Sequence, residues 1–201
     1  MPTRKQFLQT TTIALAGIPF GTLWQCRQAP TDPPIACVTG EDILGPFYRA
    51  EAPFRTALNV LNQMGTPILI RGRVLNSTDC TTPLPKVVVD VWHADNEGDY
   101  DNTTSDYKFR GRMNTDELGQ YEFMSILPAR YGNGGQLRPR HIHFRVQGEQ
   151  HEELVTQLYF ADDEFIAADP WASRADAGRI IPLVGSEGVL QGEFDLFLQP
   201  V

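Results

Sequence analysis

From Pro67 onward the chain sustains no helical period. It runs instead through short β-type stretches separated by turn residues. Ile68, Ile70, Gly72 and Val74 share one parity, and Arg71 and Arg73 take the other. That alternation is the pattern of a strand with one buried face. Val87 to Trp92 is a β-branched run preceded by Pro83 and Pro85. Further stretches follow at Phe109 to Asn114, Gln120 to Ser125, His141 to Val146, Leu154 to Phe160 and Gly188 to Leu198. Turns such as Asn96-Glu97-Gly98 and Glu117-Leu118-Gly119 divide them, in keeping with the 17 glycines and 15 prolines. Seven or eight short strands predict an all-β chain, an antiparallel β-sandwich with long loops. Only Asp162 to Gly178 suits helical turns. The 201 residues, 41% of them apolar, are enough for one such domain with a real core.

The N-terminal part reads differently. Arg4 and Lys5 precede a broken apolar run from Thr10 to Trp24, and no acid appears before Asp32. A basic start and a short apolar run are the layout of a secretory signal. Thr3-Arg4-Lys5-Gln6-Phe7-Leu8 resembles a twin-arginine export motif with Lys5 in the second arginine's place. Leu23-Trp24-Gln25-Cys26 loosely resembles a lipobox, which makes Cys26 a candidate for lipidation and a membrane anchor. The expected organisation is an export signal over 1–26, an irregular Pro/Gly-rich extended arm over 27–60 and a β-sandwich over 61–201. The expected location is the periplasm or, lipid-anchored, the cell envelope. In an oxidising compartment Cys37 and Cys80 can pair, closing a loop of about forty residues and stabilising by ~3–4 kcal/mol. A net charge of −8 with no basic run argues against a nucleic-acid partner.

His141-Ile142-His143 is the sharpest local signal for chemistry. On a strand both imidazoles share a face and can chelate one metal ion. Taken alone, the pair fits two partly exposed histidines on a strand edge equally well. Glu149 and Asp162 leave open a two-histidine, one-carboxylate ferrous site of the cupin-like kind, although the Glu149 spacing disfavours it. Tyr100 and Tyr131 lie in loops that can converge on the same sheet end. A phenol binds a metal at neutral pH only where a strong cation removes its proton, and hard ferric iron suits phenolate oxygen.

Several segments in order resemble the intradiol ring-cleavage dioxygenases. They are Leu44-Gly45-Pro46-Phe47-Tyr48, Val89-Asp90-Val91-Trp92 with Gly98-Asp99-Tyr100, Phe109-Arg110-Gly111, and Asp116 to Tyr121. Pro128 to Tyr131, Arg138-Pro139-Arg140-His141-Ile142-His143-Phe144 and Thr156-Gln157-Leu158-Tyr159-Phe160 complete the series. The resemblance covers residues 44 to 165. It implies Fe(III) held by Tyr100, Tyr131, His141 and His143, and Tyr131 that leaves the metal to act as a base. It further implies Arg138 as the stabiliser of substrate negative charge, Gln157 orienting the intermediate, and Gly45, Pro46 and Tyr48 lining the substrate pocket. The implied partners are a small aromatic diol and O₂, with a homo-oligomer also compatible. The implied reaction opens the ring between the two hydroxyl-bearing carbons to a muconate-type diacid. A non-catalytic β-sandwich binding module is the alternative.

Other residues carry plainer expectations. His93 is read as structural, His151 as solvated, and Asp162-Asp163-Glu164 as a solvated acidic loop. Trp92 and Trp171 are read as core, and Arg140 and Arg145 as cations opposite the histidine face. Arg130 is a candidate for meeting a carboxylated substrate.

Overall fold

The computed structural model describes residues 37–186 and 188–201. The export signal and Cys26 lie outside that range. Twelve strands are present among the described residues: β1 (Pro67–Asn76), β2 (Val88–Trp92), β3 (Arg110–Asn114), β4 (Gln120–Ile126), β5 (Tyr131–Asn133), β6 (Gln136–Arg138), β7 (His141–Gln147), β8 (Leu154–Phe160), β9 (Ile180–Ile181), β10 (Val184–Ser186), β11 (Val189–Glu193) and β12 (Leu196–Leu198). The expected helical stretch holds three isolated 3₁₀ turns, at Ile166–Ala168, Ala172–Arg174 and Ala177–Arg179.

Two five-stranded sheets form. In the first, β1 is the hub, with β4 antiparallel to it and β11 and β12 parallel to it. The second has the order β3-β2-β7-β8-β9 and is antiparallel except for the β8–β9 pair. The sheets are therefore mixed, where the strand spacing predicted an antiparallel arrangement throughout. Alternation could not reveal this, because a buried face looks the same for either strand direction.

The inner faces meet as the alternation predicts. Ile68, Ile70, Val74 and Phe123 from the first sheet pack with Val89, Val91, Ile142, Phe144, Leu158 and Phe160 from the second. Phe144 lies at the centre of this layer, edge-on to Tyr121 and Phe194. The run expected from Gly188 to Leu198 divides at Phe194 and Asp195, and Gly72 supplies the reason. A Cβ on Gly72 would lie 1.8 Å from the Phe194 carbonyl oxygen, so only glycine admits that carbonyl. Tyr121 then donates its hydroxyl to the same oxygen at 2.6 Å.

The second sheet is buried on its outer face as well. Residues 37–58 cover that side and reach on to the first sheet, with specific pairings. Asp42 N–H donates to Val155 O, Arg55 N–H to Arg112 O, Arg112 N–H to Pro53 O and Leu58 N–H to Met124 O. Cys37 and Cys80 form a disulfide that ties the described start of the arm to the turn after β1, with Cα atoms 5.5 Å apart. By loop-closure entropy, a 43-residue separation corresponds to about 4 kcal/mol. A Cys37→Ser/Cys80→Ser double variant is expected to lose about that much stability in urea. An unchanged midpoint and slope would show that the bond contributes nothing.

Candidate metal centre

The outer face of the second sheet carries the chemistry. Strand parity puts His141 and His143 there, 3% and 2% exposed, with ring centroids 4.9 Å apart. The register sets Trp92 beside His143 on one side and Gln157 on the other, while Tyr159 lies opposite His141. Trp92 is buried, as expected of it, and also stacks on the His143 ring at 4.8 Å and 5°. The Nδ1–H of His141 donates to Pro139 O at 2.7 Å, which makes Nε2 the nitrogen that carries the lone pair. That Nε2 lies 3.2 Å from the Tyr100 hydroxyl. Burial, reinforced by Arg138, drives His141 down to about 3. Burial and then His141 drive His143 well below its ordinary value. Both imidazoles are therefore neutral, as ligation requires.

Tyr100 reaches this face because its loop is tightly folded. Asp95 accepts the backbone N–H groups of Glu97 and Asp99, each at 2.9 Å. Gly98 has φ +95°, and a Cβ there would lie 2.7 Å from Arg130 O, so this turn docks directly on the segment bearing the second tyrosine. Ala129 N–H closes the contact on Asp95 O. Arg110, buried under the loop, donates to Asp101 O and Asn102 Oδ1. Tyr131 opens β5, which pairs with β6, so Gly132 and Asn133 continue the strand and Gly134-Gly135 is the turn of a hairpin. The two phenol rings are 5.6 Å apart at 88°. Burial, with a smaller contribution from Tyr131, raises the Tyr100 phenol above its ordinary range, so only a strong neighbouring cation would ionise it.

The arm supplies the remaining wall. Gly45 has φ +73° and sits against His143, where a Cβ would lie 3.2 Å from Cε1. Phe47 stacks on Tyr100 at 4.4 Å and meets Tyr131 edge-on at 5.6 Å. Phe47 was not singled out within its motif, although an aromatic beside a Gly-Pro turn was the available signal. Pro46 is exposed. Tyr48, expected at the substrate, instead donates to Asp90 Oδ2, accepts from Arg145 Nη1 and packs against Trp92.

Arg138 is buried and its pairing is extensive. Nε and Nη2 hold the Asp169 carboxylate at 2.8 and 3.2 Å, and Nη2 also reaches Gln157 Oε1 and Tyr159 Oη. Its guanidinium lies over the Trp171 ring, which is half-buried and caps the arginine instead of filling the core. Gln157 is fully engaged, donating Nε2 to Asp42 and Ile43 O, so it holds Arg138 and has no free group for an intermediate. Asp42 and Asp169 gave no local sequence signal, because each acts on a residue at least 31 positions away.

Other expectations change too. Arg130 is taken by Asp163 and Glu164 and stacks on Phe165, so it does not await a carboxylate. Asp163 is a buried anchor rather than part of a solvated loop, and it also accepts the Arg140 N–H. Arg145 lies two residues past His143 and shares the histidine face, pairing with Glu153 and Tyr48. His151 is half-buried against its own turn, with Nδ1 on Glu149 O. Among the described residues no three His, Cys, Asp or Glu side chains gather to hold a metal, so the two-histidine site lacks the carboxylate that a cupin-like ferrous centre needs.

Known proteins resemble this chain in sequence and fold. Chlorocatechol 1,2-dioxygenase from Rhodococcus opacus is 34% identical over 155 residues, 65% of this chain and 60% of that protein. The beta chain of protocatechuate 3,4-dioxygenase from Burkholderia cepacia is 31% identical over 184 residues, 82% of this chain and 77% of that one. The dioxygenase domain of a dioxygenase–carbohydrate-binding fusion from Streptomyces sp. SirexAA-E superposes with a TM-score of 0.73 at 30% identity, covering 82% of this chain and 100% of that domain. A family model described as Dioxygenase matches residues 43–200. The chain belongs to the intradiol dioxygenase family. It spans less than two thirds of the length of the chlorocatechol relative. The match begins at Ile43 and so takes in the Gly45–Tyr48 segment together with every strand.

In this intradiol dioxygenase chain His93 is buried and plays a structural part, as expected. Its ring bridges Ala94 O at 2.6 Å and Ser125 Oγ at 2.7 Å, and burial lowers its pKa to about 4. A lowered folded value means that its contribution is complete above the unfolded pKa of about 6.5 and is lost as pH falls from there toward the folded value. His93→Gln is expected to flatten the stability–pH curve between those limits by about 3 kcal/mol in denaturant melts. Parallel curves for variant and wild type would contradict this.

Proposed function

We propose that the chain is an iron-dependent intradiol dioxygenase that takes a catechol-type diol and O₂ and opens the ring between the two hydroxyl-bearing carbons. The observation that carries this reading is the convergence of two neutral buried imidazoles and two tyrosines beside a buried arginine. The donor set fits a hard trivalent ion, because phenolate oxygens balance its charge and the His141 tautomer leaves Nε2 available. Tyr100, Tyr131, His141 and His143 would hold the iron. When bound, the iron would supply Lewis-acid chemistry that makes a diol ring reactive toward O₂.

The chain's own groups do the rest. Tyr131, at the edge of the hairpin, receives a proton from a substrate hydroxyl, which is general-base work. Phe47 offers a flat apolar wall to the ring, and the arm from Ile43 to Phe47 keeps water away. Arg138 Nη1 makes no hydrogen bond to the described residues, while Nε and Nη2 are held on Asp169, Gln157 and Tyr159. It is free to face negative charge on a substrate oxygen, in the manner of an oxyanion hole. We also propose that the chain is exported and that Cys26 carries a lipid anchor. The Cys37–Cys80 disulfide supports an oxidising destination.

Purified protein is expected to be red to burgundy from tyrosinate–ferric charge transfer and to consume O₂ with a catechol panel. His143→Ala should lose iron and colour, and Tyr131→Phe should lower kcat by about 10²–10⁴. A colourless protein carrying stoichiometric zinc, or equal uptake by wild type and His143→Ala, would overturn the reading. Mass spectrometry of native protein is expected to find the N-terminal 25 or so residues removed. An intact Met1 to Cys26 segment would refute export.

A further inference from the structure

We propose that Asp42, on the arm, is a positioning residue that sets the aim of Arg138 through Gln157 and Tyr159. This rests on the dioxygenase reading above. Asp42 is not part of the sandwich, yet its side chain is only 2% exposed. Its Oδ1 accepts Gln157 Nε2–H at 3.2 Å and its own neighbour's Ile43 N–H at 2.7 Å. Its Oδ2 accepts the Tyr159 hydroxyl at 2.9 Å and Arg179 Nη1 at 2.6 Å.

The consequence follows from donor and acceptor roles. A primary amide can sit in either of two flipped orientations, and only its oxygen can accept from a guanidinium. Asp42 Oδ1 and Ile43 O are both acceptors for Gln157 Nε2, so together they turn the Gln157 oxygen toward Arg138 Nη2, 3.2 Å away. Tyr159 has a single hydroxyl hydrogen, and the charged Asp42 Oδ2 at 2.9 Å outcompetes Gln157 Oε1 at 3.1 Å for it. The Tyr159 oxygen lone pairs are then left for Arg138 Nη2, at 3.3 Å. Asp169 grips the same guanidinium from the other side, so Arg138 is held between a carboxylate and two oxygens whose orientation Asp42 decides. Arg179 keeps the Asp42 charge compensated, and Asp176 holds Arg179 from outside the cluster. The backbone bond from Asp42 N–H to Val155 O fixes the arm to the β8 edge beside Gln157.

The test compares Asp42→Ala, Asp42→Asn and Asp176→Asn holoenzymes. If Arg138 meets charge that develops mainly in the transition state, misaiming it lowers kcat and leaves KM nearly unchanged. Asp42→Ala is expected to lose about ten- to hundred-fold in kcat, with wild-type iron content and visible band. Asp42→Asn keeps the acceptor for Gln157 but not the charged acceptor for Tyr159, so it should recover part of the loss and covers the case in which the alanine variant does not fold. Asp176→Asn weakens the hold on Arg179, keeps an amide oxygen that can still accept the Gly40 N–H, leaves Gln157 and Tyr159 untouched, and should keep the wild-type kcat. Wild-type kcat in both Asp42 variants, or an equal loss in Asp176→Asn, would overturn the inference. Should the wild type turn over no catechol, the dioxygenase reading fails separately. Crystal structures then decide for Asp42: an Arg138 guanidinium displaced in Asp42→Asn supports the inference, and one still resting on Gln157 and Tyr159 refutes it.

Discussion

The second sheet has to be buried on both faces, and most of the architecture answers that requirement. Its inner face is covered by the first sheet. Its outer face carries histidines, arginines, a glutamine and a tyrosine, so an apolar layer would leave unpaired polar groups beneath it. The cover is instead assembled from the arm, the Tyr100 loop and the β5–β6 hairpin, each bringing matching donors and acceptors. The candidate metal centre lies in the seam where these three pieces meet. Its groups are desolvated because the pieces close over them, and that desolvation keeps both imidazoles neutral.

Holding charged groups in such a seam is expensive unless each is paired. The Arg138–Asp169 and Arg179–Asp42 pairs are nearly fully enclosed, at 2.8 and 2.6 Å. Buried pairs of this kind are weak evidence for stability, since removing two charges from water offsets their attraction, yet losing one partner costs about 3–5 kcal/mol. What they contribute is orientation. Gln157 and Tyr159 bridge the two pairs, so the guanidinium, amide and hydroxyl form one connected arrangement with few alternative hydrogen-bond patterns. A group meant to meet developing charge gains most when its position is set before the reaction.

The arm therefore belongs to the functional face as much as the strands do. It contributes Asp42 to the polar cluster, Gly45 to the contact with His143 and Phe47 to the tyrosine pair. The disulfide fastens the start of this segment to the turn after β1, on the opposite sheet.

Much of this was legible in residue order. Period-2 alternation located most strands, and Ile142 and Phe144 opposite His141 and His143 told which face was core. The four candidate ligands and Arg138 were recognisable from ordered short motifs. Roles set by distant partners were not recognisable. Arg130 looked free until Asp163 was found beside it, Tyr48 looked like a pocket residue until Asp90 and Arg145 claimed its hydroxyl, and Trp171 looked like core until it proved to cap Arg138. Parallel pairing of β1 with β11 and β12 was equally hidden, because strand direction leaves no mark on alternation. The sequence by itself determined which side chains share a face, since that depends only on backbone geometry repeating every two residues. Tertiary structure alone decided which charges are cancelled and which group is left to meet a substrate, because hydrogen bonds and ion pairs join residues that the chain order keeps up to 137 positions apart.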